Sequence, residues 1–469
     1  MMQSRPTIDG TFNFSADAVS DIELMTIKHA LKYKSVGGDK FGFGESQEIN
    51  LCTIDDSGRV SVPRRYAYEN LSSDLLESAL DLRESGSDIQ VTFDEEQQAQ
   101  RPDLKIRQDK LIESFLDNLQ SPKNPHCSGM AAARCGCGKT VVASKMIAKL
   151  GKTALVLVHK EFLMKQWIER LLQFTDLRRE DIGIVQKDKC EFEGKKVVIA
   201  MIQSLLRETR YTEDFYSWTG VIFVDECHRI GAPQFNKSIP QFSAKLRIGL
   251  TATPRRGDGL QGVFEQQLGP VIAQMSGGNE ILPKIYQIPY DIHVPESLYI
   301  WRQDGKIKKK FLGKLVSLLA LVEKRNEWIV KEISRAASAG RKVLVFSDRR
   351  DQLKIINELL ASTAPTYTTG FYVGGMSEKA LEKAETCDII LSTFQMAKEG
   401  LDIPAVDTLF LVTPKSDVEQ SVGRILRYHS DKKEPIVVDI VDTVQMCLDF
   451  AKSRLRIYTK LGYDVVKKV

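Results

Sequence analysis

The hydrophobic residues of this chain are grouped in short runs that alternate with stretches of helical periodicity. The runs fall into two series, at residues 154–158, 197–200, 221–224 and 248–250 and at residues 343–346, 389–391, 409–412 and 437–440. Short apolar strands that alternate with helices are typical of a parallel sheet with helices on both faces. We therefore predict an α/β protein with two parallel-sheet lobes in tandem, over residues 104–275 and 281–469.

The first 95 residues have a different pattern. Ser20 and Glu23 are spaced as a capping box at the start of an amphipathic helix. The turn sequence at 55–58 lies between two alternating stretches and predicts a β-hairpin. Residues 94–102 are polar, lack apolar periodicity and are interpreted as a linker. We expect a small α+β domain over residues 1–95, ahead of the two lobes.

Composition limits the class of protein but does not identify it. The 469 residues are 42% hydrophobic and 27% charged, which is typical of a globular chain. Lys and Arg exceed Asp and Glu by only 66 to 62, so binding to a polyanion would depend on local patches. No apolar run reaches the roughly 18 to 20 residues of a membrane helix. The eight cysteines lack the spacing of a disulfide scaffold and no signal core is evident, so we expect a cytoplasmic protein without membrane contact.

A phosphate-binding loop is predicted where a strand of small residues meets a helix, at residues 130–140. Gly136 and Gly138 would let backbone N–H groups approach the phosphates, and Lys139 would neutralise their terminal oxygens. The hydroxyl of Thr140 would be a ligand of Mg²⁺. The nucleotide-binding residues predicted in this loop are Arg134, Gly136, Cys137, Gly138, Lys139 and Thr140.

Two carboxylates follow an apolar strand at residues 221–224, at the strand end where open α/β sheets bind ligands. Asp225 is the candidate Mg²⁺ ligand, together with Thr140. Glu226 is the candidate general base, which would orient and deprotonate the attacking water. With Lys139, these residues predict ATP hydrolysis with Mg²⁺ as the metal.

The second lobe carries Arg424 and Arg427, which are three residues apart and would share one face of a helix. Arginines opposite a triphosphate stabilise the charge that develops during phosphoryl transfer. Because they belong to the other lobe, hydrolysis would require the lobes to close, and this closure would convert ATP into movement.

The order and spacing of these motifs resemble those of superfamily 2 helicases, over roughly residues 104–445. The resemblance implies two RecA-like lobes, with Gln108 reading adenine and Gly400 and Asp402 approaching the nucleotide. It further implies that Thr251, Thr253 and Gln420 couple hydrolysis to strand movement. The strand-contacting residues that it implies are His159, Lys160, Gln203, Ser204, Ser347, Asp348, Thr393 and Gln395.

Three departures favour a DNA-acting branch of this superfamily. The sequence after the first strand-contacting motif lacks the Pro-Thr-Arg-Glu signature of RNA-unwinding members, the acidic box reads Asp225-Glu226-Cys227-His228, and Gln420 replaces histidine. The motifs and the leading domain are similar to those of the XPB and UvsW-like group. That resemblance implies a protein that remodels branched DNA, such as forks and Holliday junctions, in recombination, repair and replication. We expect it to act as a monomer.

Three other functions remain open. A duplex translocase without strand separation would need the same ATP site, and an RNA helicase would differ only in its polynucleotide. An ATP-gated clamp that does little mechanical work has less need of Glu226, Arg424 and Arg427.

Two basic segments also have two interpretations each. Residues 306–310, next to Trp301, combine lysines with aromatic residues, which suits either phosphate binding and base stacking or a solvated loop. Arg64 and Arg65 are either DNA contacts or ordinary surface charge.

Overall fold

The structure is a computed structural model that describes residues 5–35, 48–133, 137–207, 210–228, 236–252, 259–275, 282–294, 312–398, 403–416, 418–426 and 432–467. The chain forms two compact units, Met1–Gly278 and Asn279–Val469. The first unit contains the amino-terminal domain and the first lobe, and the second unit contains the second lobe. Among the described residues, no helix is both long enough and apolar enough to cross a membrane.

The amino-terminal domain is built on a mixed five-stranded sheet, with a separate two-stranded hairpin. Its strands are β1 Thr7–Ile8, β2 Phe12–Ser15, β3 Lys32–Lys34, β4 Glu48–Asn50, β5 Thr53–Ile54, β6 Arg59–Val62 and β7 Leu80–Asp81, and its helices are α1 Asp21–Ala30, α2 Arg64–Asn70 and α3 Ser73–Glu77. The strand order in the described sheet is β5-β6-β2-β1-β7, and β3 pairs with β4. The predicted capping box of Ser20 and Glu23 is confirmed, as is the hairpin whose strands β5 and β6 flank the turn at 55–58.

The first lobe is an eight-stranded sheet in the described residues. Its strands are β8 Ser128–Ala132, β9 Ala154–Val158, β10 Ile182–Gln186, β11 Lys189–Cys190, β12 Val197–Met201, β13 Val221–Val224, β14 Leu246–Thr251 and β15 Val271–Gln274, in the order β11-β10-β12-β9-β13-β14-β8-β15. Its helices are α4 Glu95–Ala99, α5 Pro102–Leu119, α6 Lys139–Leu150, α7 Glu161–Phe174, α8 Glu213–Ser217 and α9 Gln261–Leu268. Every strand pair is parallel except the edge pair of β10 and β11.

The second lobe is a seven-stranded, fully parallel sheet in the part of the chain that the structure describes. Its strands are β16 Lys284–Tyr290, β17 Val343–Ser347, β18 Thr369–Tyr372, β19 Ile389–Thr393, β20 Thr408–Leu411, β21 Ile436–Asp442 and β22 Asp464–Lys467, in the order β18-β19-β17-β20-β21-β16-β22. Its helices are α10 Leu312–Leu321, α11 Glu323–Ser338, α12 Arg350–Thr363, α13 Glu378–Glu385, α14 Phe394–Lys398, α15 Glu419–Gly423 and α16 Gln445–Lys460.

Central strands of both lobes are buried on both faces. All residues of β9 and β13 are buried, and they divide between two apolar clusters on opposite faces of the sheet. This double burial is the reason that parallel strands have continuous rather than alternating hydrophobic sequences. Their carboxyl ends converge on one edge of the sheet, where the loops carry the candidate chemistry.

The amino-terminal domain shares its core with the first lobe. Leu260 and Val263, at the start of α9, are buried in the same apolar cluster as Phe12 and Ile27. Arg247 of β14 is also fully buried and donates from Nη2 to the carbonyl oxygen of Gly10 at 2.6 Å. These contacts join the two regions within a single compact unit.

Arg64 lies in this junction and is only 2% exposed. Its guanidinium donates to the carbonyl oxygen of Asp9, to that of Ala244 at 2.8 Å and to that of Ser243 at 3.2 Å. Of the two interpretations from the sequence, surface charge or DNA contact, neither fits Arg64. Its neighbour Arg65 forms an ion pair with Glu69 at 2.8 Å.

We expect Arg64→Ala to lower the free energy of unfolding by about 2 kcal/mol or more, because buried carbonyl oxygens would lose their donor. Arg65→Ala is the matched control and should cost less than about 1 kcal/mol, since its ion pair is partly solvated. Urea unfolding would measure both values. Equal losses for the two variants would contradict the role of Arg64 as the junction contact.

Candidate nucleotide site and strand-contacting surface

The phosphate loop joins β8 to α6. Gly138 caps the amino terminus of α6 with φ of 70°, a left-handed conformation that favours glycine. A Cβ atom at this position would lie 2.6 Å from Nε2 of Gln108. The backbone is therefore shaped for close approach at the helix end where anions bind. Arg134 and Gly136 lie outside the described residues.

Lys139 and Glu226 are brought together from the two predicted motifs. The Nζ atom of Lys139 lies 3.1 Å from Oε1 of Glu226, and both side chains are largely buried. Glu226 follows β13 with φ of 48°, a strained value for a residue other than glycine. Strain of this kind is tolerated where the surrounding structure holds a side chain in a required position.

Burial governs the electrostatics of the two carboxylates. Burial, together with the adjacent charge of Glu226, raises the pKa of Asp225 to about 6. Burial acts in the same direction on Glu226, but the charges of Lys139 and His228 outweigh it, and the pKa of Glu226 lies below its ordinary value. Both carboxylates are therefore ionised at neutral pH, Glu226 more completely than Asp225, and the partly buried Glu226 is held as a carboxylate by its cationic neighbours.

The acidic pair also has the chemistry of a Mg²⁺ site. Oε2 of Glu226 is buried and has no hydrogen-bond partner among the described residues. Asp225 is also buried and accepts from the N–H of Glu226 at 2.9 Å, and Thr140 is half-buried at the start of α6. No group of three or more His, Cys, Asp or Glu side chains that could hold a metal occurs in the described part of the chain. A Mg²⁺ ion that binds with a nucleotide does not require such a cluster, since one or two protein oxygens and the phosphates of the nucleotide are sufficient ligands.

Gln108 lies on α5 and faces the phosphate loop. It is 2% exposed and donates from Nε2 to the carbonyl oxygen of Cys137 at 3.0 Å. Its Oε1 atom accepts from Nε2 of Gln98 at 2.8 Å, and Oε1 of Gln98 accepts from Lys145 of α6 at 3.0 Å. The candidate adenine reader is thus fixed to the loop and to a second glutamine.

Gln98 belongs to residues 94–102, which were interpreted from the sequence as a linker. The structure shows that this interpretation is wrong. The segment contains the short helix α4, which is capped by the side chain of Asp94 accepting from the N–H of Gln97 at 2.9 Å. The spacing of Asp94 and Gln97 was the available signal, because Asp three residues before Gln is typical of a helix start. Gln98 is buried, and it was not identified from the sequence.

Thr251 connects the end of β14 to the acidic box. It is fully buried, and its Oγ1 lies 3.3 Å from Nδ1 of His228. The same ring nitrogen lies 3.5 Å from Oε2 of Glu226. A displacement of β14 would therefore shift the imidazole of His228 and, through it, the carboxylate of Glu226. Thr253, the second predicted coupling residue, lies outside the described residues.

The first-lobe residues that were predicted to contact a strand lie at the carboxyl ends of β9 and β12. Gln203 is exposed and donates from Nε2 to the carbonyl oxygen of His159 at 2.7 Å, and half-buried Lys160 precedes α7. Ser204 is different, because it is 4% exposed and its hydroxyl accepts from the N–H of Lys187 at 2.8 Å. A direct strand contact by Ser204 does not fit this burial, and its hydroxyl instead fixes the turn at Lys187.

Of the second-lobe predictions, the one for Ser347 needs correction and the one for Asp348 stays a prediction. Ser347 is fully buried and donates to Oε1 of Gln352 at 2.8 Å, so direct strand contact does not fit it either. Asp348 forms an ion pair with Lys415 at 2.7 Å, and a carboxylate would repel a phosphate. Lys415, which was not identified from the sequence, is the cationic group of this pair.

Only some of the other residues predicted in the second lobe are described by the structure. Thr393 ends β19 and is half-buried, and Gln395 is exposed one residue into α14. Gln420 lies in α15 and Arg424 begins a short 3-10 turn after that helix, and only their backbone is described. Arg427, Gly400, Asp402 and the basic segment 306–310 lie outside the described residues.

Two family profiles match the chain. Residues 101–256 match "Type III restriction enzyme, res subunit", and residues 324–429 match "Helicase conserved C-terminal domain". Together they cover more than half of the chain. The first match includes the phosphate loop and both carboxylates, and the second includes Gln420 and Arg424.

Similar proteins include both RNA and DNA helicases by name. The chain is 28% identical over 416 residues to a protein of Acanthamoeba polyphaga mimivirus named as an ATP-dependent RNA helicase, covering 88% of this chain and 77% of that one. It is 26% identical over 360 residues to the DNA 3'-5' helicase XPB of Mycobacterium tuberculosis, covering 72% and 62%.

Solved structures share the fold. Dbp5 of S. cerevisiae, bound to Gle1 and IP6, has a TM-score of 0.51 at 13% identity, with 81% of this chain and 96% of that chain covered. The predicted α/β fold with two RecA-like parallel-sheet lobes is thereby confirmed. The profiles, the phosphate loop and the acidic box agree with one another, and the chain belongs to the superfamily 2 helicases, which are ATP-dependent enzymes.

Proposed function

We propose that this helicase is a DNA motor that hydrolyses ATP to move along and remodel branched DNA, such as forks and Holliday junctions. The observation that carries the proposal is the contact of Lys139 with Glu226 beside Asp225, which assembles the hydrolytic groups in one buried site. A clamp that only binds nucleic acid would not need a strained, buried general base.

The hydrolytic step follows from that contact. When ATP binds, Lys139 would turn from Glu226 to the phosphate oxygens, which leaves the Glu226 carboxylate ready to accept a proton. The oxygen of a water molecule then forms a bond to the γ-phosphorus as its proton passes to Glu226. The bond to the bridging oxygen of ADP breaks, and ADP and phosphate are the products.

Thr140 and Asp225 would hold Mg²⁺, which when bound neutralises charge on the phosphate oxygens. Gly138 and the amino terminus of α6 present N–H groups to the same oxygens. We assign the charge stabilisation from the second lobe to Arg424 and Arg427, in line with the behaviour of arginine fingers.

Two features support DNA as the polynucleotide. The mycobacterial relative is named as a DNA 3'-5' helicase. The amino-terminal domain, residues 1–95, shares a core with the first lobe through Leu260 and Val263. A domain fixed in this way would move with its lobe as one body, so we assign it the recognition of a second duplex arm.

RNA is the second candidate polynucleotide, because the mimivirus relative is named as an RNA helicase. The lobes handle a strand through its phosphates in either case, so the fold supports both. A direct comparison of substrates separates the two.

The test compares ATP hydrolysis and strand displacement on linear duplex DNA, forked DNA, four-way-junction DNA and duplex RNA. Lys139→Ala is the inactive variant, and Lys149→Ala, an exposed lysine on the same helix, is the matched control. We expect junction DNA to stimulate hydrolysis most and to be resolved. Stimulation by RNA equal to that by junction DNA would overturn the DNA assignment, and hydrolysis without displacement would favour a duplex translocase.

A further inference from the structure

Trp167 is a buried tryptophan whose polar atom points at the acidic box. It lies on α7, is 1% exposed, and packs in the apolar cluster that covers one face of the first lobe. Its indole Nε1–H donates to Oδ2 of Asp225 at 3.0 Å. A buried indole N–H requires an acceptor, and here the acceptor is the candidate metal ligand.

The hydrogen bonds of Asp225 leave its carboxylate little freedom to rotate. Oδ2 accepts from Trp167, and Oδ1 accepts from the backbone N–H of Glu226 at 2.9 Å. Two donors on two different oxygens define the plane of the group. Donors behind a metal ligand set its orientation and tune its affinity, commonly by about 10- to 100-fold.

The same helix begins at the proposed strand contact. Lys160 caps α7 at its amino end, and the carbonyl oxygen of His159 is held by Gln203. Trp167 follows Lys160 by about two helical turns, a distance of about 10 Å along the axis. α7 also packs against α6, whose first residue is Lys139. A tilt of α7 would therefore move the indole of Trp167 and change the orientation of the Asp225 carboxylate that it holds.

We propose that Trp167 is a positioning residue that orients Asp225 for Mg²⁺ and links strand contact at the start of α7 to the nucleotide site. This inference rests on the ATP hydrolysis proposed above. It assigns a role to a residue for which the sequence predicted no individual contact.

Trp167→Phe keeps an aromatic side chain and removes the N–H donor. We expect kcat to fall about 10- to 100-fold and the apparent dissociation constant for Mg²⁺ to rise about 10-fold. The factor by which nucleic acid stimulates hydrolysis should fall. The dissociation constant of the nucleic acid itself should stay within about twofold of the wild-type value. Calorimetric binding of Mn²⁺ to the ADP complex gives a readout that does not depend on turnover.

Trp218→Phe is the matched control, because Trp218 packs in the apolar cluster on the other face of the same lobe. If Trp167→Phe does not fold, benzothienylalanine at position 167 keeps the shape of the indole with sulfur in place of N–H. Folded variants with wild-type kcat and Mn²⁺ affinity would overturn the inference and leave the proposed function intact. Wild-type protein that hydrolyses no ATP with any polynucleotide would overturn the proposed function, and the inference with it.

Discussion

Replacement of Glu226 by glutamine is expected to slow ATP hydrolysis by about a hundredfold to ten-thousandfold, the usual contribution of a general base. Glutamine retains the shape of the side chain and an oxygen acceptor, but it cannot take a proton from water. Because the change also removes the negative partner of Lys139 at 3.1 Å, nucleotide binding should be preserved or strengthened. Single-turnover hydrolysis and binding of a fluorescent ATP analogue would measure the two effects separately.

The matched control is Glu191→Gln, which changes a partly exposed carboxylate paired with Lys189 at 3.0 Å in the same lobe. It should hydrolyse ATP at the wild-type rate. Wild-type turnover in Glu226→Gln would contradict the base assignment and would direct attention to Asp225, the other carboxylate of the box.

Sequence periodicity predicted the strands with continuous apolar sequence well and other strands poorly. β9 and β13 lie at the predicted residues, because strands buried on both faces need continuous apolar sequence. β16 and β22 were missed. β16 contains Pro289 and alternates between buried and partly exposed residues, so its sequence lacks the apolar run by which central strands were identified. β22 is short and lies at the sheet edge.

The site was predictable where chemistry fixes the spacing of residues along the chain. A phosphate loop and an acidic box each act through adjacent residues, and Lys139, Asp225 and Glu226 were identified on that basis. Gln98 and Trp167 act through contacts with residues 10 and 58 positions away, and no local pattern encodes such contacts.

Burial accounts for most of the other errors. Arg64 and Arg65 are adjacent and chemically identical, yet one is enclosed by the first lobe and the other is paired at its rim. Ser204 and Ser347 occupy motif positions, but their hydroxyls face the protein interior. Sequence identifies a motif, whereas only the packing decides which of its side chains face a ligand.

The second largest effect is expected for Asp442→Ala in the second lobe. Asp442 ends β21 and forms two hydrogen bonds with Arg325 of α11, at 2.6 Å and 2.9 Å, and both side chains are fully buried. The same guanidinium donates at 2.8 Å to the carbonyl oxygen of Val412, the residue after β20, so it connects α11 to the ends of β20 and β21. Removal of the carboxylate would leave a buried, uncompensated cation and should lower the free energy of unfolding by about 3 to 5 kcal/mol.

Glu332→Ala is the control on the same helix, because Glu332 pairs with Arg335, whose side chain is 62% exposed. A pair of this kind contributes about 1 kcal/mol at most. Urea unfolding followed by tryptophan fluorescence can report on this lobe, since Trp328 lies on α11 with its ring 5.2 Å from that of Tyr290. The double variant Arg325→Met/Asp442→Leu should recover most of the loss, because replacing a buried ion pair by apolar side chains is often neutral. A single variant as stable as Glu332→Ala would show that water or another group compensates the charge of Arg325.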